Sequence, residues 1–204
     1  MLYYVSAFAA KGTMCKSIIA TVFASVFATG CAYTSMDAKI APDVLVVESQ
    51  VGSQQKVGIV VVDERPTQDV GRRSMVGAKI KMEDDVAAIY QAALVDGLRR
   101  KGFDAQPGAV DDSPTLKVEI RSLAYDVSAG WWTGGIETDS SVKVYALDAS
   151  EPYEKLYRSS DEDRTVIVPG AKSSNKKLNA VVSNTLRQVL EDQKLLEVLA
   201  HTDD

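Results

Sequence analysis

Histidine and cysteine are nearly absent from this 204-residue chain, which holds one histidine, His201, and two cysteines, Cys15 and Cys31. That scarcity removes most metal and nucleophilic chemistry. Zinc sites draw on several His or Cys ligands, and a Ser-His-Asp or Cys-His arrangement would have to rest on a histidine beside the carboxyl terminus. No metal, cofactor or catalytic residue is therefore expected. Basic residues are also in deficit, 23 against 28 acidic ones for a formal charge of −5. Nucleic-acid affinity comes largely from Lys and Arg neutralising phosphates, so that partner class is excluded, and composition argues equally against a polybasic lipid-binding face. A bilayer-spanning run is missing too. The uncharged stretch of residues 17–29 would be about 20 Å long as a helix, short of the roughly 30 Å hydrocarbon layer. With 46% hydrophobic and 25% charged residues, the remainder fits one globular domain, and it contains no internal repeat.

What is present at the start is a three-part export pattern: Lys11 and Lys16, then the short apolar run, then small residues. Met14 is a second possible start, because Met14-Cys15-Lys16 followed by the run is already complete. A buried helix of the domain is the alternative reading of residues 17–29. The run ends in Ala28-Thr29-Gly30-Cys31, which resembles the lipobox of bacterial lipoproteins, although Ala28 stands where Leu is more usual. Acylation by a diacylglyceryl donor needs the nucleophilicity of a thiol, and Gly30 leaves the scissile bond open to a signal peptidase. Residues 1–30 are thus expected to be a cleaved lipoprotein signal, with Cys31 as the lipid attachment site. A free thiol or an intermolecular disulfide are the other fates of a lone exported cysteine. Two or three acyl chains hold a protein stably to a bilayer, whereas one does not. Removing Lys11 and Lys16 leaves 21 basic residues against 28 acidic, a formal charge of −7. Ala32 follows the cysteine where Asp often signals inner-membrane retention. By analogy with Gram-negative sorting, the inner leaflet of the outer membrane is predicted, with the domain facing the periplasm.

Residues 31–42 show neither helical nor strand periodicity and read as a lipidated flexible tether. Residues 43–204 read as one periplasmic domain. Residues 44–51 and 57–63 are β-branched runs separated by Gly52-Ser53-Gln54-Gln55, which predicts two strands. The chain from Asp63-Glu64-Arg65-Pro66 to Lys81, with Arg72-Arg73 and two glycines, reads as a loop or short strand. Glu83-Asp84-Asp85 then opens a helix carrying Val86, Ile89, Tyr90, Ala93, Leu94 and Leu98 at helical spacing, closed by Arg99, Arg100 and Lys101 with Gly102 as a cap. Leu116, Val118 and Ile120 alternate with Lys117, Glu119 and Arg121, as in a strand with one wet face. Val142, Val144 and Ala146 form a second alternation, and residues 155–168 complete an antiparallel meander. A last helix begins near Ser174-Asn175 and aligns Leu178, Val181, Val182, Leu186, Val189 and Leu190 on one stripe, with a short helical continuation at residues 195–199. The order ββαβββα predicts a two-layer α+β domain: a mostly antiparallel sheet with two amphipathic helices on one face.

These segments resemble the YajG family of bacterial lipoproteins. The matching features are Cys31 in its lipobox, Asp63 and Arg65 after the apolar strand, and Lys101-Gly102-Phe103 after the first helix. Leu123 with Asp126-Val127-Ser128 and Gly130 in the meander, and Ser174-Asn175-Lys176 at the last helix, complete the set. The resemblance implies an outer-membrane lipoprotein without an assigned activity and brings no catalytic residues.

Few residues are left to carry a function. Asp63, Glu64 and Arg65 at a strand end read as a site or as a structural ion pair. Asp161-Glu162-Asp163 reads as a charged turn. Gly170-Ala171-Lys172-Ser173 lacks the spaced glycines of a phosphate loop. Gly130-Trp131-Trp132-Thr133-Gly134-Gly135 holds both tryptophans between two strands, and Trp131 and Trp132 suit contact with a partner; covering a sheet edge is the alternative. The expectation is a non-enzymatic, lipid-anchored module that binds another envelope component, whether protein, glycan or lipid. The second reading is an accessory subunit of an envelope transport or assembly complex, and the third is an enzyme working through carboxylates alone.

Overall fold

A computed structural model describes residues 36–72, 79–82, 84–129, 134–165 and 171–201. Eight strands form one sheet: β1 (Met36–Ala38), β2 (Lys56–Asp63), β3 (Asp69–Arg72), β4 (Lys79–Met82), β5 (Asp104–Pro107), β6 (Thr115–Ala129), β7 (Gly134–Leu147) and β8 (Tyr153–Thr165). Among the described residues three helices accompany them: α1 (Val86–Arg100), α2 (Ala171–Leu190) and α3 (Gln193–Ala200). The α+β class and the antiparallel run β6-β7-β8 match expectation. The sheet as a whole does not, because it is mixed and four of its seven strand pairings are parallel. The reason is the connection through α1, which crosses over the sheet and returns β5 parallel to β2.

Local chemistry explains the helices. The Asp85 carboxylate caps α1 by accepting from the Ala87 and Ala88 amides at 2.9 and 3.3 Å. At its other end Gly102 adopts φ +88°, and the Gly102 and Phe103 amides donate to the Arg99 and Leu98 carbonyls, which is how a left-handed glycine closes a helix. α2 begins three residues before the expected Ser174. That serine does not cap it; the side chain is wholly buried and donates to the Tyr125 hydroxyl. Residues 195–199 form part of a separate helix, α3, capped by Asp192.

Both long helices meet the same face of the sheet at β7. From α1 the Tyr90 hydroxyl lies 3.0 Å from Ser140 Oγ, and from α2 the Thr185 hydroxyl donates to the Ser140 carbonyl at 3.1 Å. Between them sit Ile59, Leu94, Leu116, Val118, Ile120, Val142 and Leu186, all at most 1% exposed where they pack into one core. Burial drives the Tyr90 hydroxyl far above the usual phenol pKa.

Two assignments at the amino-terminal side change. Residues 44–51 join no strand ladder among the described residues. Val44 and Val46 pack on the core, whereas Leu45 and Val47 stay 71% and 73% exposed, so the alternation is satisfied by packing without a paired backbone. Conversely, residues 36–40 are not tether: β1 pairs with β4, and Ala38 and Ile40 are buried.

Candidate functional site

The site follows from how the chain leaves and rejoins β6. Along one edge β6 pairs with β7 over its whole length. Along the other it pairs first with β2, from Gly58↔Thr115 to Asp63↔Ile120, and then with β3 at Gly71↔Tyr125. Between the two, Glu64 makes a last bond to the Ile120 carbonyl, and residues 65–68 swing away before β3 returns. Return is possible because residue 71 is glycine. It has φ +148°, and a Cβ there would lie 1.9 Å from the Tyr125 carbonyl oxygen. A bulge between Ile120 and Ser122 turns both Arg121 and Ser122 toward the gap.

The resulting cleft has a volume of about 500 Å³ and carries Arg65, Arg72, Lys79 and Arg121 on its walls against Asp69 and Asp126. Four cations to two carboxylates is a local reversal of the chain's acidic balance. Arg65 is the most constrained of them. Its Nε and Nη2 donate to both Asp63 oxygens at 2.8 and 2.7 Å, its side chain is 4% exposed, and its buried Nη1 has no hydrogen-bond partner. Those hydrogen bonds hold the Asp63 carboxyl below the usual carboxylate range. Lys79 pairs with Asp69 and Arg121 with Glu64. Arg72 is exposed, and its side chain has neither an ion pair nor a hydrogen bond among the described residues. A second cleft of about 580 Å³ shares Arg65 and Asp69 and is acidic, with Asp63, Asp84 and Asp85 on its walls.

Beyond the cleft the solvent face of β6 to β8 is a continuous polar network. Glu119, 6% exposed, accepts from Lys117, Arg121 and the Tyr145 hydroxyl, and its carboxyl is held low chiefly by Lys117. Lys117 and Lys143 lie 5.5 and 5.1 Å from the centre of the Tyr145 ring. The Ser122 hydroxyl is shared between Asp139 and Ser141, and Arg158 binds the other Asp139 oxygen.

Of the residues singled out in the sequence, Asp63 and Arg65 form the ion pair and Glu64 pairs with Arg121, at the rim of the cleft. Asp161, Glu162 and Asp163 are not a turn but lie within β8, where Asp161 and Asp163 both pair with Lys177 of α2 at 2.9 and 3.1 Å. His201 is exposed just after α3, its Nδ1 2.8 Å from the Glu197 carbonyl. Lys172 and Ser173 belong to α2. Ala28, Thr29, Gly30 and Cys31, and Trp131 with Trp132, lie outside the described residues, as does Gly170. Among the described residues no group of three or more His, Cys, Asp or Glu side chains is placed to hold a metal. Arg72, Lys79, Arg121 and Asp126 were not picked out as site residues beforehand. The signal for them was the Gly71-Arg72 pair inside an otherwise unreadable segment.

A family model described as an uncharacterized lipoprotein matches residues 42–200. The chain belongs to that family. The YajG-like resemblance therefore holds, and membership associates the chain with membranes. No helix among the described residues is long and apolar enough to cross one. No curated protein matches the sequence. Among solved structures, protein XCC0632 from Xanthomonas campestris is 11% identical with a TM-score of 0.50, over 77% of this chain and 92% of that one; this is a likeness of fold. A PelC dodecamer from Paraburkholderia phytofirmans is similar at 11% identity and a TM-score of 0.37, over 83% and 95% of the two chains. Lipoprotein GNA1162 from Neisseria meningitidis is similar at 11% identity and a TM-score of 0.30, over 66% and 97%. The cleft lies inside the span matched by the family model.

Proposed function

We propose that this lipoprotein is a non-enzymatic binding module of the cell envelope, held by acylated Cys31 in the inner leaflet of the outer membrane and facing the periplasm. Its binding surface is the cleft beside β6, and its ligand carries negative charge. The observation that supports this reading is the gathering of Arg65, Arg72, Lys79 and Arg121 on one concave wall of a chain with net charge −5, since a concave site with a few convergent charged groups is where a ligand gains orientation. The hydroxyls and carboxylates nearby support binding over catalysis. Ser122 is tied to Asp139 and Ser141, and Asp63, Glu64 and Asp69 are tied to cations; Asp126, the cleft carboxylate without an ion pair among the described residues, makes no hydrogen bond to a hydroxyl nucleophile there. Trp131 and Trp132 serve as a second contact to the partner.

Two measurements test this. Cells grown in radiolabelled palmitate should label the wild type and not Cys31→Ser; label persisting in the variant overturns anchoring at that residue. A photo-crosslinking amino acid placed at Thr67, an exposed residue of the cleft, should capture a discrete envelope component that the same probe at Lys194, an exposed residue of α3, does not. Identical adduct patterns at both positions overturn the cleft as the binding surface. Unchanged crosslinking after Trp131→Ala and Trp132→Ala removes the second contact.

A further inference from the structure

We propose that the strip formed by β1, β4 and β3 is a membrane-apposed surface, and that the anionic groups it takes are phospholipid headgroup phosphates of the leaflet that holds the chain's own anchor. This rests on the reading above in two respects, acylation at Cys31 and an anionic ligand at the cleft, and it names the source of the anion.

The first argument is chain length. Were residues 31–42 all tether, the domain could wander far from the bilayer. Met36 is already in β1, and Ala38 and Ile40 are locked in the core at 0% and 2% exposure. Four residues lie between Cys31 and Met36, five Cα-to-Cα steps with a reach of at most about 18 Å when fully extended. Among the described residues β1 is an edge strand of the sheet. Its register with β4, Met36↔Ile80, and that of β4 with β3, Lys79↔Arg72, place Lys79 one strand spacing and Arg72 two spacings from β1, about 5 and 10 Å. Cys31 therefore cannot be acylated without bringing this sheet edge close to the headgroups.

Charge supplies the second argument. The strip exposes Arg72, Lys79 and Lys81, with Lys39 just past β1, against Asp37 and the half-buried Asp69; Asp84 and Asp85 adjoin only its Lys81 end, and Arg72 has no carboxylate of its own. A guanidinium fork binds phosphate through two parallel hydrogen bonds, and juxtamembrane cations add to one another near an anionic surface. Across β6 the sign changes. Asp126, Glu137 and Glu162 lie side by side in register on β6, β7 and β8, and all three are exposed. That row repels anionic headgroups and confines contact to the β3 side. Composition conceals this surface because the acids outnumbering these cations are elsewhere in the chain.

The test uses the full lipidated protein, purified from membranes and reconstituted into vesicles of phosphatidylcholine with or without phosphatidylglycerol. An amine-reactive reagent and mass spectrometry then give modification rates at single lysines. Lys39, Lys79 and Lys81 should be protected about fivefold in the phosphatidylglycerol vesicles, while Lys172 and Lys194 react equally in both. High salt should remove the protection, and Arg72→Glu should remove most of it. Asp126→Asn should increase it. Equal rates at Lys79 and Lys81 in the two vesicle types overturn the proposal. Protection by inorganic phosphate alone in phosphatidylcholine vesicles, to the same extent, also overturns the lipid source while leaving an anion site. If the Thr67 crosslink captures a component that is not lipid and the lysines are unprotected, the binding reading stands and this one fails. If Cys31→Ser still labels with palmitate, both lose their anchor.

Discussion

The two halves of β6 do different work. Over residues 115–120 the strand is clamped by β2 on one edge and β7 on the other, and Leu116, Val118 and Ile120 lie under the helices at 0% exposure. Over residues 122–125 β2 has departed, β3 meets the strand at a single pair, Gly71↔Tyr125, and the edge opens into the cationic cleft. The same strand thus supplies stability in one half and a ligand-facing edge in the other. A paired, doubly flanked strand has no backbone groups to spare, so recognition collects where pairing lapses.

The largest effect should come from the clamped half. Leu116→Ala leaves a cavity in the closed core and should cost about 2–5 kcal/mol, read as a lower denaturant midpoint at unchanged slope; a loss under about 1 kcal/mol would mean that this half is not the core the contrast requires. Gly71→Ala comes next, because its Cβ would strike the Tyr125 carbonyl. About 1–3 kcal/mol is expected, concentrated in the open half. Amide exchange should accelerate at Arg72 and Tyr125 and stay unchanged at Val118, and uniform acceleration would erase the distinction between the halves.

A third prediction concerns acid stability beside the clamped half, where Tyr157 pairs with Val142 and Val142 with Ile120. Burial raises the Asp192 carboxyl, but Lys155, the Leu195 amide and the Tyr157 and Tyr153 hydroxyls outweigh it and bring the pKa from 3.8 down to about 2. A depressed native pKa contributes stability that is present above the unfolded value and lost as pH falls through the native one. Stability should therefore drop between about pH 4 and pH 2, and Asp192→Asn should flatten that limb. Asp192→Ala should cost about 1 kcal/mol at neutral pH through loss of the α3 cap. An unchanged acid limb in the Asn variant would show that the carboxylate is not held low. The smallest effect on stability is expected for Arg72→Ala, within about 0.5 kcal/mol, although it should abolish the crosslink captured by the probe at Thr67.

Legibility in the sequence followed the range of the interactions. α1 could be read because Tyr90, Leu94 and Leu98 repeat at helical spacing and Asp85 and Gly102 close its ends, all within one local segment. β6 and β7 could be read from their alternation. β1, β3 and β4 are three or four residues long, too short to show a period, and exist only through partners distant in sequence. Residues 44–51 had the composition of a strand and the exposure pattern of one, yet they pair with no strand among the described residues. The acids of β8 resembled a turn because their lysine partner lies in α2.

The candidate site divides in the same way. Asp63 and Arg65 are two residues apart, so their ion pair was one of the readings open from the sequence. Arg72 and Arg121 are far apart in the chain and meet only because Gly71 lets β3 touch Tyr125. By itself the sequence determined the short apolar run ending in a lone thiol, the first helix with its caps, the apolar stripe of the second and the alternation of the long strands, since each is written in neighbouring residues. Which strands run parallel, where β6 is left unpaired, and how four cations come to line one cleft in an acidic protein were decided by tertiary structure. Those features depend on register between distant segments, and no local pattern encodes register.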